Sequence, residues 1–236
     1  MKTIKILLAI AIATWLVLMI WMVGASQGRQ AAVEALEQLG AQVQHDGFYG
    51  YSVSMREEIT EQFVDEVANI GQLRVLDIRR TPISDDHLRR LQGVVLRDIA
   101  ILYQTGISDS GLKYLNGLRH FANLPLERLY LGATRITDAG LKTIATWPPL
   151  SHLYIGGTQI SDDGLKHLAS TAIATLDIHD CDLTDNAIVH LARISELHSI
   201  WIWGTQIDQA KLAAALPNCQ LVTEDPTMDF QQNQKR

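Results

Sequence analysis

One phrase recurs six times along this chain, and a fixed repeat decides architecture before local propensity does. It runs as spaced aliphatics, then Thr-x-Ile-Ser/Thr-Asp, then a Leu. One copy reads Leu73, Leu76, Ile78, Thr81, Ile83, Ser84, Asp85 and Leu88. Another reads Leu126, Leu129, Leu131, Thr134, Ile136, Thr137, Asp138, Gly140 and Leu141. The next reads Leu150, Leu153, Ile155, Thr158, Ile160, Ser161, Asp162, Gly164 and Leu165. Anchored on Thr81, Thr105, Thr134, Thr158, Cys181 and Thr205, the steps are 24, 29, 24, 23 and 24 residues.

The spacing in Leu129-x-Leu131 and Leu153-x-Ile155 is that of a strand with its aliphatics turned to the core. Ser84, Thr137, Ser161 and Thr184 precede helically spaced runs such as Leu141 with Ile144 and Leu165 with Leu168. There the Ser/Thr or the following Asp can cap a helix, and the acid suits the positive helix terminus. The recurring Asp85, Asp109, Asp138, Asp162 and Asp185 are therefore expected to be caps rather than a cation ladder. No repeat can bury its apolar side alone, so the copies must stack.

Over roughly residues 71–222 the pattern resembles leucine-rich repeats, L-x-x-L-x-L-x-x-N/C-x-L. It is similar to a bacterial version with Thr where Asn or Cys is usual, and Cys181 keeps the Cys. The resemblance implies an α/β solenoid, or horseshoe, with parallel strands on the concave face and helices on the convex face. Two copies depart from it. With Leu96, Ile99 and Ile101 turned inward, one extra residue precedes Thr105. An insertion of about five residues falls within Asn116–Pro125, where a tolerated loop is expected.

Ile6 through Val23 is an uncharged apolar run of 18 residues, about 27 Å long as a helix and close to a bilayer core. Lys2 and Lys5 precede it, and the first charge after it is Arg29. This asymmetry predicts one transmembrane helix, with a cytoplasmic N-terminus and an extracytoplasmic repeat domain. The alternative is secretion after cleavage near Val23-Gly24-Ala25, but the run exceeds the usual signal-peptide length. The expected organisation is a signal anchor over 1–25, a capping segment over 26–70, six repeats over 71–223 and a polar tail over 224–236. Within the cap, helical spacing covers 29–45 up to Gly40 and again 57–73, with a weak strand at Phe48–Val53.

No catalytic motif is present: no Gly-x-Ser-x-Gly, no phosphate loop, no Cys-x-x-Cys and no His-Glu-x-x-His. The expectation is a non-catalytic protein that needs no cofactor or metal. His179-Asp180-Cys181-Asp182 is the densest set of possible ligands, but strand neighbours point to opposite faces. Two cysteines exclude a disulfide framework, and Cys181 and Cys219 fall too far apart in the repeat alignment to be expected as a pair. A net charge of −6 argues against nucleic acid as a partner.

What varies between copies points to a site. If Leu129 and Leu131 face inward, Arg128, Tyr130 and Gly132 face the concave surface. The same positions give His152, Tyr154 and Gly156, then Thr175, Asp177 and His179, then Ser199, Trp201 and Trp203. One column would read Asp77, Ala100, Tyr130, Tyr154, Asp177, Trp201. Tyr and Trp are enriched in interface hot spots, and repeat proteins bind on such surfaces. The predicted partner-binding residues are Arg128, Tyr130, His152, Tyr154, Asp177, His179, Trp201 and Trp203, with Arg128 and Asp177 orienting a protein partner. A glycan partner is the alternative, because flat aromatic faces also suit sugar rings. An intracellular adaptor is another, implied by resemblance to repeats of ubiquitin-ligase substrate receptors, though no F-box-like segment is present.

Overall fold

The computed structural model describes Met19 and residues 22–47, 50–117 and 126–225. Its strands form one sheet whose spatial order is the sequence order, β1 to β9. β1 (Gln42–His45) pairs antiparallel with β2 (Tyr51–Ser54). From β2 onward each strand lies parallel to the next: β3 (Gln72–Asp77), β4 (Val95–Ile101), β5 (Arg128–Tyr130), β6 (His152–Tyr154), β7 (Thr175–Asp177), β8 (Ser199–Trp201) and β9 (Gln220–Val222).

Parallel neighbours need a crossover, and the return segments supply it on the opposite side of the core. They are α3 (Asp85–Arg90), α4 (Asp109–Gly117), α5 (Asp138–Ile144), a 3-10 helix at Asp162–Leu168, a 3-10 turn at Asp185–Ala187 that leads into α6 (Ile188–Leu191), and α7 (Gln209–Ala215). A 3-10 helix rises about 2.0 Å per residue against 1.5 Å for an α-helix. The Asp162–Leu168 return therefore spans its side with fewer residues, which fits the shorter step from Thr158 to Cys181.

The expected inward residues are the core. Leu129, Leu131, Leu153, Ile155, Leu176, Ile178 and Ile200 are fully buried. Behind each strand a Thr closes the turn. Thr81, Thr105, Thr134, Thr158 and Thr205 each donate their hydroxyl to the carbonyl three residues earlier, at 2.5 to 2.7 Å. A buried hydroxyl must find an acceptor, so Thr serves where the repeat family places Asn or Cys. Cys181 stands in that place with its Sγ 3.5 Å from Ile155 O. Both cysteines are free thiols, and burial pushes each upward in pKa.

The recurring aspartates differ from the capping expectation. Thr137 and Thr184 cap their own helices, Thr137 Oγ1 accepting from Ala139 N and Thr184 Oγ1 from Asn186 N. The Asp instead reaches the next repeat. Asp85 accepts from Ser108 N and Oγ, Asp109 from Thr137, Asp138 from Ser161 and Asp162 from Thr184, all at 2.5 to 2.9 Å. This clasp also explains the Gly two residues after the Asp. A Cβ at Gly111, Gly140 or Gly164 would run into the carboxylate of Asp85, Asp109 or Asp138.

The register of β4 also differs from the expectation. Ala100, fully buried, takes the core place opposite Leu76 and Leu129, and Ile101 lies in line with Asp77 and Tyr130. The extra residue sits earlier, where the pairing slips between Leu73 and Val75 against Leu96 and Ile99. Such a bulge absorbs one residue on the longer strand. Reading Ile as core and Ala as outward followed hydrophobicity alone, whereas the fixed offset from Thr105 sets the register.

The capping segment holds α1 (22–38) and α2 (Glu61–Ile70). Ala32 and Leu36 of α1 enter the core, as do Phe63, Val64, Val67 and Ile70 of α2. Thr60 caps α2 by accepting from Phe63 N, and Gly71 at φ 73° ends it. Helix α1 stops before Gly40, and Gln42–His45 is a strand rather than a helix tail; Leu73 likewise belongs to β3. Phe48 and Tyr49, most of the Asn116–Pro125 insertion and the tail beyond Asp225 lie outside the described residues. So does the predicted membrane helix, of which only Met19, Met22 and Val23 are described. Among the described residues no helix is long and apolar enough to cross a membrane.

Candidate interaction surface

The parallel register aligns outward side chains into columns. The first holds Arg128, His152, Thr175, Ser199 and Gln220. The middle column reads Asp77, Ile101, Tyr130, Tyr154, Asp177, Trp201 and Val222. A third follows just past the strands: Arg79, Tyr103, Gly132, Gly156, His179 and Trp203. There Arg80, Gln104, Ala133, Gly157 and Asp180 each donate a backbone N–H to the third-column carbonyl of the next repeat. All eight predicted site residues fall on this one face.

The rings of the middle and third columns are packed together. Tyr130 and Tyr154 stack with centroids 4.1 Å apart and planes within 1°. The Tyr154 ring meets Trp201 edge-on at 5.8 Å across the shorter Asp177. Trp201 leans on Trp203 at 5.5 Å, and Trp203 stacks on His179 at 4.2 Å. Both tryptophans are consequently half-buried rather than fully exposed.

Two glycines make room for this packing. A Cβ at Gly132 would stand 2.8 Å from the Tyr103 ring, and one at Gly156 would penetrate the imidazole of His179. Neighbouring rings thus lie directly over bare backbone. Tyr103 is the site residue that sequence reasoning missed. The same offset of two residues before Thr105 that places Gly132 before Thr134 would have found it.

Asp177 differs from its expected role. It is 5% exposed, and its carboxylate is taken up by His179, whose Nδ1 lies 2.6 Å from Asp177 Oδ1. Asp177 is therefore almost closed to solvent and is engaged by His179. Burial alone would push the His179 pKa down, but the hydrogen bond and charge of Asp177, helped by Asp180 and Asp225, raise it above the ordinary value. Near β3 the same positions hold Asp77 and Arg79: Arg79 Nε and Nη2 lie 3.0 and 2.7 Å from the buried carboxylate, and Arg56 Nη2 lies 2.6 Å away.

Burial and the charge of the exposed Arg128 lower the His152 pKa against an opposing pull from Glu127. Burial, with a contribution from Tyr130, pushes the Tyr154 phenol up to about 12. Two grooves flank the aromatic column. One of about 500 Å³ runs along Arg128, His152 and Thr175, and one of about 700 Å³ runs from Arg79 past Gly132 to Trp203. Among the described residues no group of three His, Cys, Asp or Glu side chains is placed to hold a metal ion.

The fold is that of a leucine-rich-repeat solenoid. Residues 148–169, one repeat, match the family model described as Leucine Rich repeat. The chain is similar in structure to internalin C2 of Listeria monocytogenes, at 23% identity and a TM-score of 0.50, over 75% of this chain and 81% of that one. It also matches an internalin (inlF) of the same organism at 18% identity and a TM-score of 0.42, over 68% of this chain and 56% of that one. At these identities the likeness concerns the fold. No curated protein matches the chain.

Proposed function

We propose that this chain is a non-catalytic recognition protein that binds another protein through the outward face of its sheet. Its organisation is an N-terminal membrane anchor, a cap, a six-repeat solenoid outside the cytoplasm and a polar tail. The observation that carries the reading is the coupled ring system of Tyr130, Tyr154, Trp201 and Trp203, flanked by grooves and placed on the face that solenoids use for binding. Rigid half-buried aromatics offer contact area at little ordering cost.

The ring geometry favours a protein over a glycan. A sugar stacks on a free aromatic face, whereas Tyr130 spends a face on Tyr154, and Trp203 spends one on His179. Helix α1 also runs unbroken through Val23, Gly24 and Ala25, the candidate cleavage position, which favours the anchor over a cleaved signal.

The test is Tyr154→Ala with Trp201→Ala in the full-length chain. Lost stacking lowers stability by about 1–3 kcal/mol, so capture is measured well below the variant's thermal midpoint. Loss of partner capture by a folded variant supports the reading. Undiminished capture contradicts it.

A further inference from the structure

The larger groove is electrically polar. Arg79 and Arg80 line its β3 end, and Arg79 shares the carboxylate of the buried Asp77 with Arg56. Asp77 takes two of the five N–H donors of Arg79. The exposed Arg80 gives its Nε to the neutral Gln104. Three positive groups against one negative leave two charges uncompensated. At the other end Asp180 and Asp225 act on His179, which is already paired with Asp177.

Between these ends the third column lacks side chains, at Gly132 and Gly156. The rings of Tyr103 and His179 lie over that backbone, and the notch left open beside Gly132 is walled by Tyr103, Tyr130, Tyr154 and His179. Its ring walls suit an apolar side chain. The arginine end and the notch are two to three strands apart, roughly 10–14 Å at the usual strand spacing of about 4.8 Å. An extended chain covers that distance in about three or four residues.

We propose that this groove binds an extended peptide segment of a protein partner, holding a carboxylate at Arg79 and Arg80 and seating an apolar side chain about three or four residues away between Tyr103 and His179. The proposal rests on the outward face being the recognition surface and adds the chemistry of what is recognised. The chain as a whole carries −6, so attraction of an acidic segment is local to the arginine end, and binding weakens as salt rises.

A displayed library of random heptapeptides, panned on the full-length chain in detergent, tests this. Parallel pannings use Arg80→Glu and the Tyr154→Ala, Trp201→Ala variant. The Arg80 side chain is exposed, so Arg80→Glu keeps the fold, which circular dichroism verifies. The expected result is enrichment, by about tenfold or more, of sequences pairing Asp or Glu with Phe, Leu or Trp at that separation. On Arg80→Glu the acidic preference should vanish or turn to Lys and Arg. Enrichment without an acidic residue, or acidic enrichment unchanged on Arg80→Glu, overturns the proposal. If that enrichment still depends on Tyr154 and Trp201, the recognition face survives without the acidic ligand. No enrichment on the unmodified chain overturns the groove as a peptide site.

Discussion

His179 joins the charge and packing of the candidate surface in one side chain. It lies over Gly156, stacks on Trp203 and bonds to the buried Asp177. Its folded pKa is raised above the ordinary histidine value of about 6.5, so the pair stabilises the protonated form. That stabilisation is fully present below the unfolded pKa and is lost as pH rises through the folded one. An NMR titration should therefore place His179 above the ordinary value. Asp177→Asn should bring it below, because burial remains when the carboxylate charge is gone. A wild-type His179 titrating at or below the ordinary value would contradict the pairing. The outward placement of His179 and Asp177 was legible from alternation alone. Their mutual contact was not, because it needs the bare backbone at Gly156 in the neighbouring repeat, and a linear pattern does not show which ring fills it.

Each repeat is joined to the next by its aspartate. A cap stabilises its own helix, whereas the Asp138 carboxylate accepts from Ser161 N and Ser161 Oγ one repeat later. The two roles predict different couplings. Asp138→Ala should cost about 1.5–3 kcal/mol in stability, as expected for hydrogen bonds to a charged group. A double-mutant cycle with Ser161→Ala should show coupling of about 1 kcal/mol, read from denaturant unfolding. Additive losses would return the aspartates to a capping role. The Ser/Thr-Asp-x-Gly spacing was visible in the sequence, but its partner lies 23 residues away in the case of Asp138 and Ser161. Local capping rules look only three residues ahead, which is why they gave the carboxylate to its own helix rather than to the start of the next one. The β4 register failed for a related reason. Ala100 is small but stands two residues before Leu102, whose carbonyl takes the Thr105 hydroxyl, and that position, not residue size, makes it core.

For the whole molecule, the repeat period made the architecture readable, because strand, turn and return recur at fixed offsets from one Thr. The cap was readable only in part: short elements such as β1 depend on pairing with β2, which no periodicity announces. The proposed topology predicts that protease added outside an intact inner membrane digests the repeat domain, while intact-mass analysis finds the untreated chain at full length. A protected domain would place the repeats in the cytoplasm, and a chain beginning near Ser26 would mean a cleaved signal. Site-specific photo-crosslinking in the full-length chain distinguishes which face of the solenoid binds. One probe replaces Ser199, on the outward face of β8 beside Trp201, and another replaces Val189, 53% exposed on the helix side. Binding on the outward face should give a protein adduct from position 199 that disappears with Trp201→Ala, and none from position 189. An adduct from position 189 with none from 199 would contradict it.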